Sequence, residues 1–336
     1  MKYPARIGYG INDNKKRLNK KTIVSKVKEL SDEDRTAKIT SCIMQSNWMK
    51  WDEVIQMDFT WNQWMYGLSA NLLKFWLNSI QNTLPDPSNL RRWGRQKDAD
   101  CTLCKWKNCT LKHILCGCKV AMDQGRISWR HDTILINIVR YLKQAKLQNK
   151  GKRLQKGGIK FLKEGKNPPK KKKARGTFWD GANDWKILND TRKEQYQIPP
   201  EIAASRLRPD ICIYSPSAKK VCFIELTSPD EENIKYWQIK KRMKYLNLVE
   251  EARANGYQAL CKTIEVGARG YVSKVSAHTF SLMGIRGKHF TEVRKELSKV
   301  AIRCSHFIWN CKDNPNWSNP PRICGNSSTV ETGTNE

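Results

Sequence analysis

The sequence predicts a mixed α/β protein in which a helical N-terminal segment and a small cysteine-histidine module precede an α/β domain. Apolar residues at helical spacing run as far as Ile80. Residues of metal-ligand type then cluster between Cys101 and Cys118. From Thr177 the pattern becomes short β runs interleaved with helix, in the order β, β, α, β. A chain of 336 residues has room for two or three domains, and 39% hydrophobic residues with 13 Trp exclude a chain disordered throughout.

Residues 1–20 are polar and basic without a sustained apolar period, and are expected to be a disordered start. Residues 21–100 form a helical linker region. Ser31 followed by Glu33 and Asp34 suggests a helix start there, and Leu68, Leu72, Phe75 and Trp76 recur at spacings of three and four. Leu84-Pro85-Asp86-Pro87 breaks the pattern, because proline lacks the amide donor and fixes its own backbone angle. A basic aromatic loop follows through Arg91, Arg92 and Trp93 to Gly94, with both arginines as candidate phosphate contacts.

Cys101-x2-Cys104-x8-His113-x4-Cys118 supplies three thiolates and one imidazole, the ligand set of a closed tetrahedral zinc site. The surrounding residues are too few and too polar for a core of their own, so bound metal is expected to supply the folding free energy. Cys116 competes with Cys118 for the fourth position. After this knuckle, Arg126 and Arg130 are candidate nucleic-acid contacts, Asp132 suits an N-cap, and Ile134, Leu135, Ile138, Val139 and Leu142 form a helical stripe. His131 reads as a structural or phosphate-facing residue, with ligand or base as its other roles. Knuckle and helix span 101–142.

The stretch 143–176 is a basic linker that ends in Lys170, Lys171, Lys172 and Lys173, a nuclear-import or phosphate-binding tract, so a nuclear location is expected. Lys and Arg number 62 against 32 Asp and Glu, a formal charge of +30. That imbalance calls for a polyanionic partner: DNA first, RNA second. No stretch is long and apolar enough for a membrane span or a signal peptide, so no membrane partner is expected, and the 12 cysteines read as reduced thiols and metal ligands.

The α/β domain spans 177–300, and a tail, partly disordered, occupies 301–336. Arg208-Pro209-Asp210 precedes the first β run, Ile211 to Tyr214. Glu225 lies inside the second, Val221 to Thr227, on the same strand face as Val221, Phe223 and Thr227. A carboxylate in an apolar strand needs a partner. Asp210 and Glu225 converge where the two strands diverge, and two such oxygen ligands suit a catalytic magnesium ion, with Arg208 on phosphate. Restriction-type nuclease folds use this layout. The lysine expected two residues after the acid is replaced by Thr227. Ser228-Pro229-Asp230-Glu231 reads as a capping box for one helix running to Asn255-Gly256, whose apolar stripe contains Ile234, Trp237, Tyr245, Leu248, Val249 and Ala252. Lys241 falls within the stripe, and Lys244 lies on its edge, as candidates to orient or deprotonate water. Glu265, in the run Ala259 to Val266, is a secondary acid.

These residues resemble the C-terminal region of non-LTR retrotransposon proteins that carry a restriction-like endonuclease. The resemblance covers roughly residues 34–310. It rests on Leu84-Pro85 through Gly94, the Cys-Cys-His-Cys knuckle, Gly125-Arg126 with Trp129-Arg130-His131-Asp132, Arg208-Pro209-Asp210, Glu225-Leu226-Thr227 with Pro229 and Glu231, Lys241 with Lys244-Tyr245, and Glu265-Val266-Gly267. It implies a PD-(D/E)xK fold with a displaced lysine that nicks target DNA so that the new 3′ end primes reverse transcription. It also implies that the knuckle holds nucleic acid near the cleavage site. Reverse transcriptases need an aromatic-x-Asp-Asp turn, and this chain has no Asp-Asp pair, so the polymerase is expected as a separate or upstream partner. The alternative is a catalytically inactive nucleic-acid-binding relic or a truncated retroelement copy.

Overall fold

A computed structural model describes residues 19–42, 44–55, 65–149, 176–191, 195–318 and 320–323. The chain forms two units, residues 1–47 and 48–336. The first contains α1 (Lys20–Ser41), capped by Asn19, whose side chain accepts from the Lys21 amide at 2.7 Å. Ser31 therefore lies inside the helix, not at its start. The Asn19 cap satisfies the first amides, and no breaker follows it before Ser31.

In the second unit, α2 (Ala70–Ile80) and α3 (Pro87–Arg92) flank the proline break. The expected loop at 89–94 is thus half helix, because Pro87 sits in its first turn and the buried Asp86 carboxylate caps it. Asp86 also accepts from the Leu111 amide at 2.9 Å, which ties α3 to the knuckle. A π-helical turn (His113–Gly117) and α4 (Lys119–Asp123) lead into α5 (Arg126–Asn149). Asp132 lies in the body of α5, so it is not that helix's N-cap; Gly125, with φ at +79°, makes the turn before the helix.

Four strands form one sheet in the order β1 (Lys186–Asn189), β2 (Ile211–Ser215), β3 (Lys220–Thr227), β4 (Gln258–Glu265). The first two pairings are antiparallel, and β3 with β4 is parallel. Between β3 and β4 the chain passes through a 3₁₀ turn (Glu231–Asn233), α6 (Ile234–Lys244) and α7 (Leu246–Ala254). The single helix expected there is broken at Tyr245, and its true N-cap is Asp230, which accepts from Glu232 N. After β4 come α8 (Lys274–Leu282) and α9 (Gly287–Asn310).

Both sheet faces are covered, which explains the unbroken apolar runs of β2 and β3. Ile211, Ile213, Cys222, Ile224 and Leu226 join α5, α8 and α9 in one core. Cys212, Tyr214, Val221 and Phe223 meet Tyr245, Leu248, Val249 and Ala252 in a second. Because α5 is part of the first core, segments 101–142 and 177–300 fold together, and the linker between them separates sequence, not structure. α9 continues to Asn310, and beyond it Trp317 lies 5.5 Å from the rings of both Trp129 and Phe307. The tail expected from residue 301 therefore begins as core helix. Lys170–Lys173 lie outside the described residues.

Glu231 is a buried ion-pair member, not a capping-box acid. Arg269 Nη1 donates to Asp230 Oδ2 at 2.7 Å and to Glu231 Oε2 at 2.9 Å, while Nε donates to the Ser79 carbonyl of α2. A Cβ on Gly267 would meet Glu231 Oε1 at 2.3 Å, so only glycine admits this approach. Removing Arg269 leaves two carboxylates buried without their cation. Arg269→Ala is expected to lower stability by about 3–5 kcal/mol in urea unfolding; a loss under about 1 kcal/mol would show that the triad is not a structural anchor.

Candidate functional site

The knuckle is built by turns. Lys105, with φ at +58°, reverses the chain after Cys104, and its amide returns to the Cys101 carbonyl at 2.9 Å. The π-helical turn brings His113 and Cys118 back. The ligand atoms of Cys101, Cys104, His113 and Cys118 all lie within 4.8 Å of one another. Cys101 Sγ and Cys118 Sγ are 3.9 Å apart. Metal–sulfur bonds of about 2.3 Å in a tetrahedron give edges of ~3.8 Å. The cluster is fit to hold a metal ion such as zinc. Cys116 is excluded from it by its own partner, Arg130 Nη2, at 3.6 Å.

Electrostatics favour a cation here. Burial opposes the Cys101 thiolate, but the amides of Cys104 and Leu103 together with the Cys104 and Cys118 thiols lower its pKa. Burial, together with the Cys101 charge, pushes Cys118 up to about 12. Burial lowers the pKa of His113, keeping the imidazole neutral, as a ligand requires. The knuckle does not depend on metal alone, however. Cys101, Cys109, Leu111, Leu115 and Cys118 share a core with Leu72, Phe75, Trp76, Ile308 and Trp309, correcting the expectation of a coreless module.

A second constellation lies where β2 and β3 diverge. Ile211 pairs with Ile224, so Asp210 and Glu225 are next in register. The Asp210 amide donates to Glu225 Oε2 at 3.2 Å, and the Leu226 amide donates to Asp210 Oδ2 at 2.7 Å. Lys241 Nζ, from α6, donates to Glu225 Oε1 at 2.5 Å. Glu225 is only 3% exposed. Burial and then the Asp210 charge raise its pKa, while Lys241 opposes both. The helical wheel thus identifies the lysine that meets the acid. Lys244 instead donates to Tyr245 Oη at 2.9 Å.

Three further groups, His131, Asp132 and Asp190, meet at this cleft; the sequence singles out the first two without placing them here and carries no sign of the third. His131 Nε2, from α5, lies 3.3 Å from both Asp210 Oδ2 and the Leu226 carbonyl, and its Nδ1 is 3.0 Å from Asp132 Oδ1. Asp190, just after β1, donates its amide to the Asp210 carbonyl at 2.8 Å; burial, opposed by Arg208 and aided by the Asp210 and Asp132 charges, raises its pKa. Only the tertiary fold brings these residues to the β2–β3 hairpin. The Trp129-Arg130-His131-Asp132 motif was the one local signal.

Other expected site residues divide. Arg91, Arg92 and Arg208 are exposed, Arg208 with its Nε 3.5 Å from Asp190 Oδ2. Arg126 and Arg130 are fully buried and cannot meet phosphate. Arg126 donates to the Cys311 and Asn314 carbonyls, and Arg130 to the Ser228 carbonyl and hydroxyl and to the Ser305 hydroxyl. Glu265 is fully buried and held by Ser273 and Ser276. Among the described residues, no hydrogen bond or ion pair joins it to Asp210, Glu225 or Lys241. No protein-family model matches the sequence, and comparison with curated proteins finds no match.

Cys104→Ser and His113→Ala are expected to release the bound metal, read as zinc content near about one equivalent in the parent chain. Cys116→Ser should retain it; loss of metal in that variant would put Cys116 in the ligand set. A pH dependence follows from His131. Burial disfavours its charge, but Asp132 and Asp210 outweigh burial and raise its pKa from 6.5 to about 10. A raised folded-state pKa stabilises fully below the unfolded value, and that stability is lost as pH rises through the folded one. The melting-temperature gap between the parent chain and His131→Asn should be widest below pH 6.5 and close towards about pH 10. A gap that does not change with pH would mean that His131 is uncharged in the fold.

Proposed function

We propose that the chain is a metal-dependent DNA endonuclease related to the target-nicking domain of non-LTR retrotransposons. The observation that carries this reading is the juxtaposition of Asp210, Glu225 and Lys241 at the open end of the β2–β3 hairpin. Carboxylate oxygens are donors for a hard cation, and the raised pKa of Glu225 beside Asp210 marks a site where positive charge is stabilising. Asp210 and Glu225 would hold magnesium, which would supply Lewis-acid polarisation of the scissile phosphate and the attacking water.

The chain's own groups do the positioning. Lys241, an ion-paired donor, orients water or a phosphoryl oxygen. His131 and the Leu226 amide both address Asp210 Oδ2 and so fix the carboxylate's rotation. Arg208, exposed beside the cleft, is the phosphate contact. In the hydrolysis itself, water oxygen bonds to phosphorus as the P–O3′ bond breaks, leaving a 3′ hydroxyl able to prime synthesis by a separate or upstream reverse transcriptase. The Cys101, Cys104, His113 and Cys118 cluster is assigned to structural zinc, with exposed Trp106, stacked on His113, and Lys105 beside it as nucleic-acid contacts.

Nicking of supercoiled plasmid with magnesium tests the proposal. Asp210→Ala should abolish nicking. Lys241→Ala should reduce it by about 10²- to 10⁴-fold with DNA affinity retained, and Lys244→Ala should do less. Tight DNA binding without metal-dependent nicking would make the chain the inactive relic instead. Normal nicking by Lys241→Ala would remove the lysine from the mechanism.

A further inference from the structure

α6 presents two chemistries on opposite faces. Its inner face carries Ile234 and Lys241. Its outer face carries Tyr236, Ile239 and Met243, continued by Leu246 at the start of α7; these are 59%, 55%, 65% and 46% exposed. Within α6 the 3-4 spacing puts Tyr236, Ile239 and Met243 on one apolar stripe. The helix sequence, IKYWQIKKRMK, contains five cations and no acid. Lys240 sits over both neighbouring rings, 4.9 Å from the Trp237 centroid and 5.6 Å from that of Tyr236. The two rings meet edge to face, with centroids 5.4 Å apart. Lys235 pairs with Glu53 and Lys241 with Glu225, while among the described residues Lys240, Arg242 and Lys244 join no carboxylate. Exposed apolar surface bordered by those three cations fits a partner that is both polyanionic and flat-faced.

We infer that the outer face of α6 is a docking platform for an unpaired DNA strand beside the cleft. Duplex DNA offers its phosphates but hides its base faces in the stack, so it would satisfy the lysines and leave the stripe uncovered. A second copy of the chain would bring like charges together along the helix. An unpaired strand matches both features: bases stack on Tyr236, Trp237 and the Met243 thioether while phosphates meet Lys240, Arg242 and Lys244. Lys241, on the opposite face of the same helix, reaches Glu225, so one helix carries both the platform and a residue of the cleft. The inference deepens the endonuclease reading and rests on it for its biological sense.

The test is binding of the full chain to fluorescein-labelled oligo(dT) and to a duplex of equal length, without added magnesium. Tyr236 and Met243 are exposed, so the double variant Tyr236→Ala/Met243→Ala should keep the parent's thermal melt. It should lose about 10-fold in oligo(dT) affinity while duplex affinity holds. Tyr236→Phe should retain the parent's single-strand affinity, since stacking needs the ring and not the hydroxyl. Unchanged oligo(dT) affinity in the double variant, or an equal loss on strand and duplex, would overturn the inference. So would a drop in oligomeric state by sedimentation, which would assign the stripe to a second copy, or selective loss of binding to phosphatidylserine vesicles with oligo(dT) binding intact. Cleavage is not read in this assay. A chain that shows the strand-selective loss yet never nicks plasmid would defeat the endonuclease reading alone.

Discussion

The buried guanidinium of Arg130 is the constraint on which both sites depend. A cation taken fully out of water must find fixed acceptors in several directions. Arg130 finds them in the Ser228 carbonyl and hydroxyl after β3, the Ser305 hydroxyl of α9 and the Cys116 thiol of the knuckle. Four parts of the second unit are thereby held to one planar group. The next residue along α5 is His131, whose ring position against Asp210 is inherited from that anchor. Cys116, two residues before the ligand Cys118, is drawn away from the metal cluster by the same interaction.

The cleft shows how burial and charge are balanced. Glu225 cannot ionise cheaply inside β3, and Asp210 beside it makes ionisation harder. Lys241 offsets this from α6, which explains why a lysine tolerates a core-facing position. The Thr227 position, where the same strand face could have supplied a lysine, is 8% exposed, and among the described residues its hydroxyl has no hydrogen-bond partner. The helix therefore provides from outside the sheet the cation that the strand lacks.

Much of the fold was legible because its signals are local. β2, β3 and β4 are apolar runs bounded by turn residues, and β3 and β4 were recoverable to within a residue. The Cys-Cys-His-Cys spacing likewise encodes its own geometry. β1 was not legible: Lys186–Asn189 is a four-residue edge strand whose only alternation is a polar end and a partly buried middle. The pairing of His131 with Asp210 spans 79 residues, beyond any periodicity. Arg126 and Arg130 were misread for a physical reason. A guanidinium that binds phosphate and one that binds main-chain carbonyls use the same donors, and sequence alone does not tell the two acceptors apart.

That ambiguity resolves once the cations are sorted by depth. Among the described residues the buried cations, Arg126, Arg130, Arg269 and Arg294, are all arginine, and no lysine joins them. Arginine's planar fork can satisfy several acceptors at once, whereas an ammonium on a flexible stem is best left in water. Lys241 is the intermediate case, with a side chain 24% exposed and its ammonium on Glu225. Net charge therefore overstates the cations that are free to meet a polyanion. The buried arginines organise the fold, and the lysines outside remain to attract phosphate. A charge excess of this size acts at long range without selecting a sequence, so under the proposed endonuclease reading any discrimination between strand and duplex rests on groups with shape, such as the aromatic and thioether surfaces on α6.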